Sequence, residues 1–228
     1  MPATLRAVAS AVGQGTSISC TKPTGTAEGD LMLAFQSADR GTLAQMTTPS
    51  GGWNLLGSQQ WADAEPGTKV FWKIAGASEP TSYGFAQNST ADGVVAIASV
   101  IVSVVKTPVF ASSASVTSTT SVPTPSITPT AADDLEFRWA TSQGVGSALS
   151  WTPPATYTQQ VNRQSATYTT ASLATKTLTS AAATGIQNFT SSVTTANHMG
   201  FTVAVVGTPF QSPKPLVFGQ ALQRAAFY

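Results

Sequence analysis

The sequence predicts an all-β fold, an antiparallel β-sandwich or jelly roll built from two pseudo-repeated units and followed by an extended C-terminal arm. Three observations carry that expectation: short runs with a period of two, turn residues between the runs, and one pattern that recurs further along the chain. The period of two is plain at Leu31, Leu33 and Phe35, which alternate with Met32, Ala34 and Gln36. It returns at Val70, Trp72 and Ile74 around Phe71 and Lys73, and at Phe201, Val203 and Val205 around Thr202 and Ala204. Alternation of this kind places one set of side chains on each face of a strand. Thr24-Gly25-Thr26, Pro49-Ser50-Gly51-Gly52, Glu65-Pro66-Gly67, Ser78-Glu79-Pro80 and Pro153-Pro154 bound such runs. Gly and Pro supply the backbone angles that tight turns need, and helix signals are almost absent. Abundant Thr and Val suit a pleated, half-covered surface.

The recurrence has an offset of 104. Asp30-Leu31 matches Asp134-Leu135 (134 − 30 = 104), and Thr48-Pro49 matches Thr152-Pro153. Trp53 falls on Tyr157, Phe85 on Phe189, Thr90 on Thr194, Phe35 on Trp139, Ile97 on Phe201 and Val102 on Val206. Aromatic residues land on aromatic residues and turn prolines on turn prolines. A long internal repeat governs the whole fold. The division that follows is a first unit at 1–108, a second at 109–207 and an arm at 208–228.

Thr107 to Thr130 is rich in Ser, Thr and Pro, with Pro123, Pro125 and Pro129. It reads either as a flexible linker or as an extended edge strand opening the second unit, its prolines placed where no ladder hydrogen bond is donated. The matching stretch Ser17 to Gly29 is equally polar and is not a linker, which favours the strand. The arm has no counterpart after the first unit. Its Leu216, Val217, Phe218, Leu222, Phe227 and Tyr228 form an apolar set that reads as a docking arm, packing against a neighbouring subunit or the chain's own sandwich.

Composition excludes several functions. Charged residues make up 9% of the 228, against about 25% in an ordinary soluble domain. Ser and Thr fill 26 and 34 positions, so hydroxyls must do much of the work of solubility. A net charge of +1 offers phosphates no field, so no nucleic-acid partner is expected. A near-neutral surface favours association instead. The most apolar run, Val94 to Val105, is interrupted by Ser99 and Ser103 and is shorter than the roughly 20 residues of a membrane-spanning helix. Met1 to Ser10 lacks the apolar core of a secretory signal. No membrane is expected, and synthesis in a cytoplasm is.

Candidate chemistry is sparse. One His and one Cys cannot build a zinc site of the usual ligands, and one Cys cannot form an internal disulfide. His198 reads as a half-exposed strand-entry residue, since no Gly-x-Ser-x-Gly elbow accompanies it. Cys20 reads as a buried small apolar residue. Asp30 and Asp134, at equivalent places in the repeat, read as caps on the turns before their strands. Glu28 with Asp30, and Asp133 with Asp134, could each lend oxygens to Ca²⁺, but a site would need more of them close by. No facing carboxylate pair of the glycosidase kind stands out. Neither an enzyme, a metal nor a cofactor is expected. Among the tryptophans, Trp53 and Trp72 read as core, whereas Trp61 and Trp151 lie beside loops and are candidates for a glycan-stacking platform. Asn88-Ser89-Thr90 and Asn188-Phe189-Thr190 match the glycosylation sequon, a cheap match in so Thr-rich a chain.

Gly29-Asp30-Leu31-Met32-Leu33-Ala34-Phe35, Thr48-Pro49-Ser50-Gly51-Gly52-Trp53-Asn54-Leu55-Leu56-Gly57, and Val70-Phe71-Trp72-Lys73-Ile74-Ala75-Gly76-Ala77-Ser78-Glu79-Pro80 together resemble a recurring β-sandwich module. That module occurs in virion proteins of tailed bacteriophages of actinobacteria, in minor tail proteins and related head-decoration proteins. Asp133-Asp134-Leu135 and Trp151-Thr152-Pro153-Pro154-Ala155-Thr156-Tyr157 carry a weaker form of it. The resemblance spans about 25–206 and departs at the arm. It implies a structural virion protein, a minor tail protein or a capsid decoration protein. Such a protein would contact capsid or tail subunits as a homo-oligomer or bound to a lattice. It brings no catalytic residues. The alternative on the same scaffold is a glycan-binding adhesin for host attachment, using Trp61 and Trp151.

Overall fold

The computed structural model describes residues 1–207 except 62–66, 116, 144–145, 167 and 196. The arm residues Leu216, Val217, Phe218, Leu222, Phe227 and Tyr228 therefore lie outside the described residues. The fold is all-β, and every strand pairing is antiparallel. In the first half run β1 (Thr4–Gln14), β2 (Ser17–Thr21), β3 (Leu31–Ala38), β4 (Asn54–Gln59), β5 (Gly67–Ile74), β6 (Ser82–Ala86) and β7 (Asp92–Ile101). In the second run β8 (Val109–Ser115), β9 (Thr119–Thr124), β10 (Leu135–Gln143), β11 (Trp151–Thr152), β12 (Thr158–Ser165), β13 (Thr169–Thr177), β14 (Gln187–Thr195) and β15 (Asn197–Val205).

One five-stranded sheet has the order β1-β7-β3-β5-β4, and the other β8-β15-β10-β13-β12. Replacing each strand of the first by its counterpart in the second leaves the order unchanged. Smaller sheets follow the same rule: β2-β6 in the first half, and β9-β14 with the short β11 added in the second. Detail agrees as well. Ile18 faces Phe85 and Val122 faces Phe189. The edge strand carries a bulge at Leu55/Gly57 in one sheet and at Gln159/Val161 in the other. The offset of 104 does not hold throughout, however. Leu31 faces Ile74 and Val100, whereas Leu135 faces Thr177 and Val205. The offset is thus 103 at β5/β13 (177 − 74) and 105 at β7/β15 (205 − 100). Phe201 accordingly takes the place of Ala96, not of Ile97.

Three apolar cores separate four layers. Ile18, Cys20, Tyr83 and Phe85 of β2-β6 pack on Met32, Ala34, Phe71 and Ile97. Val122, Trp151 and Phe189 pack on Ala140 and Ala174 in the second half. The largest cluster lies between the halves, where Leu31, Leu33, Phe35, Val70 and Val94 meet Phe137, Trp139, Leu173, Phe201 and Val203. Both five-stranded sheets are therefore covered on two faces. All eight residues of β3 are buried, and so are nine of the ten in β7. The alternation at 31–36 separates two different cores, not core from solvent, which corrects the half-covered surface expected from the sequence.

The contact between halves is reciprocal. Phe35 stacks on Trp139, its counterpart at offset 104, with ring centroids 5.5 Å apart and 19° between planes. At one flank Arg163 Nε donates to Ser10 Oγ (3.1 Å). At the other Ser112 Oγ donates to Gln59 Oε1 (3.2 Å). Ladder positions make Gln59 the counterpart of Arg163 and Ser10 that of Ser112. A self-complementary interface has this form, residue i meeting j while j meets i.

The segment 107–130 supplies β8, at the edge of its sheet, and β9, where Pro123 sits opposite Asn188 on an outer strand. It is part of the sandwich, as the strand reading requires. Gly200 on β15 is obligatory: a Cβ there would stand 2.0 Å from the Pro123 carbonyl oxygen.

Candidate functional site

The sequence singled out turns, two tryptophans, one His, one Cys and a few acids, and each has a definite place. Asp30 and Asp134 close equivalent turns. Ala27 N–H donates to Asp30 Oδ2 (2.9 Å), and Ala131 N–H to Asp134 Oδ2 (3.3 Å). Asp30 also accepts from Arg6 Nε (2.6 Å) and Ser99 Oγ (2.8 Å). Burial pushes its carboxyl up, but Arg6, Ala27 and Ser99 outweigh that and hold it below the usual carboxylate range. Asp134 accepts from Gly207 N–H (2.8 Å). These oxygens are engaged by the protein itself. Among the described residues, no cluster of three or more His, Cys, Asp and Glu could hold a metal ion.

Cys20 is fully buried on β2, and burial pushes its thiol up to about 12, which leaves it inert. His198 is 3% exposed on β15, so its ring is not half in solvent as the sequence suggested. The glycan platform also needs correction. Trp61 and Trp151 are 2% and 3% exposed, with no face free for a sugar. Trp61 Nε1 donates to the Ala38 carbonyl (3.0 Å) in the central core, and Trp151 Nε1 to Thr170 Oγ1 (2.8 Å) under β14. An indole beside a loop in sequence can still be the side chain over which that loop closes. Trp53 is buried and Trp72 partly so, both as core residues.

Two acids do approach each other, Asp39 and Asp92, at one end of the junction between halves. Asp92 N–H donates to Asp39 Oδ1 (2.7 Å), and Ser165 Oγ to Asp92 Oδ1 (2.9 Å). Gln143 Nε2 donates to the Asp39 carbonyl, and Thr169 Oγ1 to that of Asp92 (both 2.8 Å). Burial pushes the Asp39 carboxyl up beyond what the Asp92 N–H and Arg40 pull back. Both acids are buried, 2% and 3% exposed, and tie the halves together.

Sequence reasoning passed over a pair of cationic sites beneath the outer sheets. In the first half Lys73 Nζ donates to Glu79 Oε2 (2.7 Å) and to the Gly51 carbonyl, and lies over the rings of Trp53 and Tyr83. Glu79 also accepts from the Tyr83 hydroxyl and from Gly76 N–H (2.6 Å). Burial pushes the Glu79 carboxyl up, but Lys73, Tyr83 and Gly76 hold it below its ordinary value. The pair is closed and buried.

In the second half Arg138 is wholly buried. It donates to Glu136 Oε1 (2.7 Å), the Tyr157 hydroxyl (3.0 Å), Thr184 Oγ1 (2.9 Å) and the carbonyls of Thr124 and Gly185. Tyr157 in turn donates to Glu136 Oε2 (2.5 Å). Its hydroxyl is pushed up, first by burial and then by Glu136. Lys176 lies over the same ring, 5.3 Å from its centroid. Beside it is a cavity of about 190 Å³ lined by Tyr157, Lys176, Ser180, Ala182, Ala183 and Thr184 among others. The signal was present in Leu135-Glu136-Phe137-Arg138-Trp139, where two opposite charges two apart in an apolar strand must share a buried face.

No protein-family model, no curated protein and no solved structure matches the chain.

Proposed function

We propose that this chain is a structural protein of a tailed-bacteriophage virion, a minor tail protein or capsid decoration protein, which acts by packing against neighbouring subunits. The observation that carries the proposal is the central core: two five-stranded sheets fused face to face, each buried on both faces. Such a body is rigid, because almost every core residue is held by neighbours from two layers. The buried carboxylates serve this rigidity. Asp30, Asp134, Asp39 and Asp92 fasten turns or join the halves. The resemblance at 29–35, 48–57 and 70–80 supplies the phage assignment. In this reading the apolar residues of 208–228 contact the next subunit. The test is to delete 209–228 and measure incorporation into particles, with the circular dichroism of the truncated protein as the folding control. Loss of incorporation with the β-signature kept is expected. Normal incorporation overturns the role of the arm, and absence of the full-length chain from purified particles overturns the virion assignment. The glycan-binding alternative loses its two residues to the interior.

A further inference from the structure

The two halves place a lysine at the same point and treat it differently. Lys73 pairs in the ladder with Met32, the second residue of β3, and Lys176 pairs with Glu136, the second residue of β10. The loops that follow are anchored alike. Ala75 N–H donates to the Asp30 carbonyl, and Leu178 N–H to that of Asp134. The loop runs ten residues from Ala75 to Phe85 (85 − 75) and eleven from Leu178 to Phe189 (189 − 178). Four residues past the anchor the first loop carries Glu79 and the second Ala182, with Ala183 next. Both alanines line the cavity beside Lys176. The open space of the second half thus lies where the Glu79 side chain lies in the first.

Charge agrees with shape. Lys73 and Glu79 cancel. Around Tyr157 there are two cations, Arg138 and Lys176, and one acid, Glu136, already engaged by Arg138 and the Tyr157 hydroxyl. Among the described residues Lys176 has no ion pair. We infer that the cavity beside Lys176 is a carboxylate-binding site, and that it receives a glutamate-type side chain of a neighbouring protein in the position that Glu79 fills in the first half. A sugar acid is disfavoured because two cations already lie over the Tyr157 ring, the aromatic surface on which a sugar would stack. The inference does not depend on where the protein acts.

The test is a nuclear magnetic resonance titration of the ¹⁵N-labelled full chain with N-acetyl-glutamate amide, its glutamine analogue and glucuronate. Saturable shifts centred on Lys176 and the 178–184 amides are expected with the glutamate probe, at millimolar affinity. The glutamine probe should give none, because it lacks the charge. Lys176→Gln should weaken binding about tenfold or more. Ala182→Glu places the carboxylate in cis and should leave the glutamate probe without effect, which keeps the test decisive if Lys176→Gln disturbs the fold. Equal shifts with the glutamine probe, no saturable shift up to about 0.1 M, unchanged binding in both variants, or tighter binding of glucuronate would each overturn the inference.

Discussion

Phe35→Ala should weaken the two halves together. The ring is fully buried, stacks on Trp139 at 5.5 Å and meets Phe137 at 6.4 Å. Truncating a buried Phe costs about 3–5 kcal/mol, from lost transfer energy and the cavity left behind. Collapse around the gap is restricted here, because β3 is also held from its other face by the core under β2-β6. We therefore expect about 4 kcal/mol, a fall in Tm of roughly 8–16 °C for a body of this size. The informative assay replaces tryptophan with 5-fluorotryptophan and follows unfolding by ¹⁹F resonance. Trp53 reports the outer core of the first half, Trp151 that of the second, and Trp61, Trp72 and Trp139 the shared core. Since the largest core is shared, all five should lose native signal at one midpoint, in wild type and variant alike. Two separated transitions, or a variant in which Trp151 keeps the wild-type midpoint while Trp53 falls, would refute the idea that the halves form a single cooperative body.

Glu79→Gln strands a buried ammonium at Lys73, and removing one partner of such a pair costs about 3–5 kcal/mol, measurable by urea denaturation at pH 7. The folded protein holds Glu79 below its ordinary value, so its contribution is present above the unfolded value and drains as pH falls through the folded one; the gap between wild type and variant should close in acid. Asp39 has the opposite sign. Its carboxyl is raised, so Asp39→Asn should stabilise at neutral pH, and that gain should vanish below the unfolded value; a variant less stable at pH 7 would show that the Arg40 contact outweighs burial and Asp92. Gly200→Ala forces a methyl onto the Pro123 carbonyl and should cost at least about 1–3 kcal/mol by the same denaturation assay.

The strands were legible from their period of two and their bounding turns, and the recurrence from its aromatic positions: Phe35 and Trp139, Trp53 and Tyr157, Phe85 and Phe189. Register was less so. The loops differ by single residues, and a chain read at one offset assigns Ile97 to the place of Phe201 although they face different cores. The two-sided burial of β3 was hidden for a related reason. A reading by alternation alone divides Leu31-Met32-Leu33-Ala34-Phe35 into two faces, whereas its unbroken apolar character is the mark of a strand covered on both. Trp61 and Trp151 were misread because proximity to a loop in sequence says nothing about which way the strand before it turns. At the single offset of 104 Lys73 falls on Thr177, so the match of Lys73 with Lys176 emerges only from the ladder register, where the offset is 103.

The abundance of Ser and Thr has a second use besides solubility. Sheets covered on both faces leave little room for large side chains at every position, and cores that are wholly apolar do not fix the register of one sheet on another. Hydroxyls are small and can return a hydrogen bond to a backbone carbonyl close by. Thr141 Oγ1 donates to the Thr170 carbonyl, Ser172 Oγ to that of Val161, and Thr202 Oγ1 to that of Pro125. Between halves, Trp139 Nε1 donates to Ser37 Oγ, which is bonded to Thr68 Oγ1. A hydroxyl bonded in this way is satisfied inside the core, whereas an unpaired one costs about 1–3 kcal/mol. Sliding one layer over another by a single residue would break the Trp139–Ser37 and Thr202–Pro125 bonds, while the others join neighbouring strands of one sheet and hold its register. The composition that lowers surface charge thus also helps hold strands and layers in one alignment, a fixed shape that the proposed packing role requires.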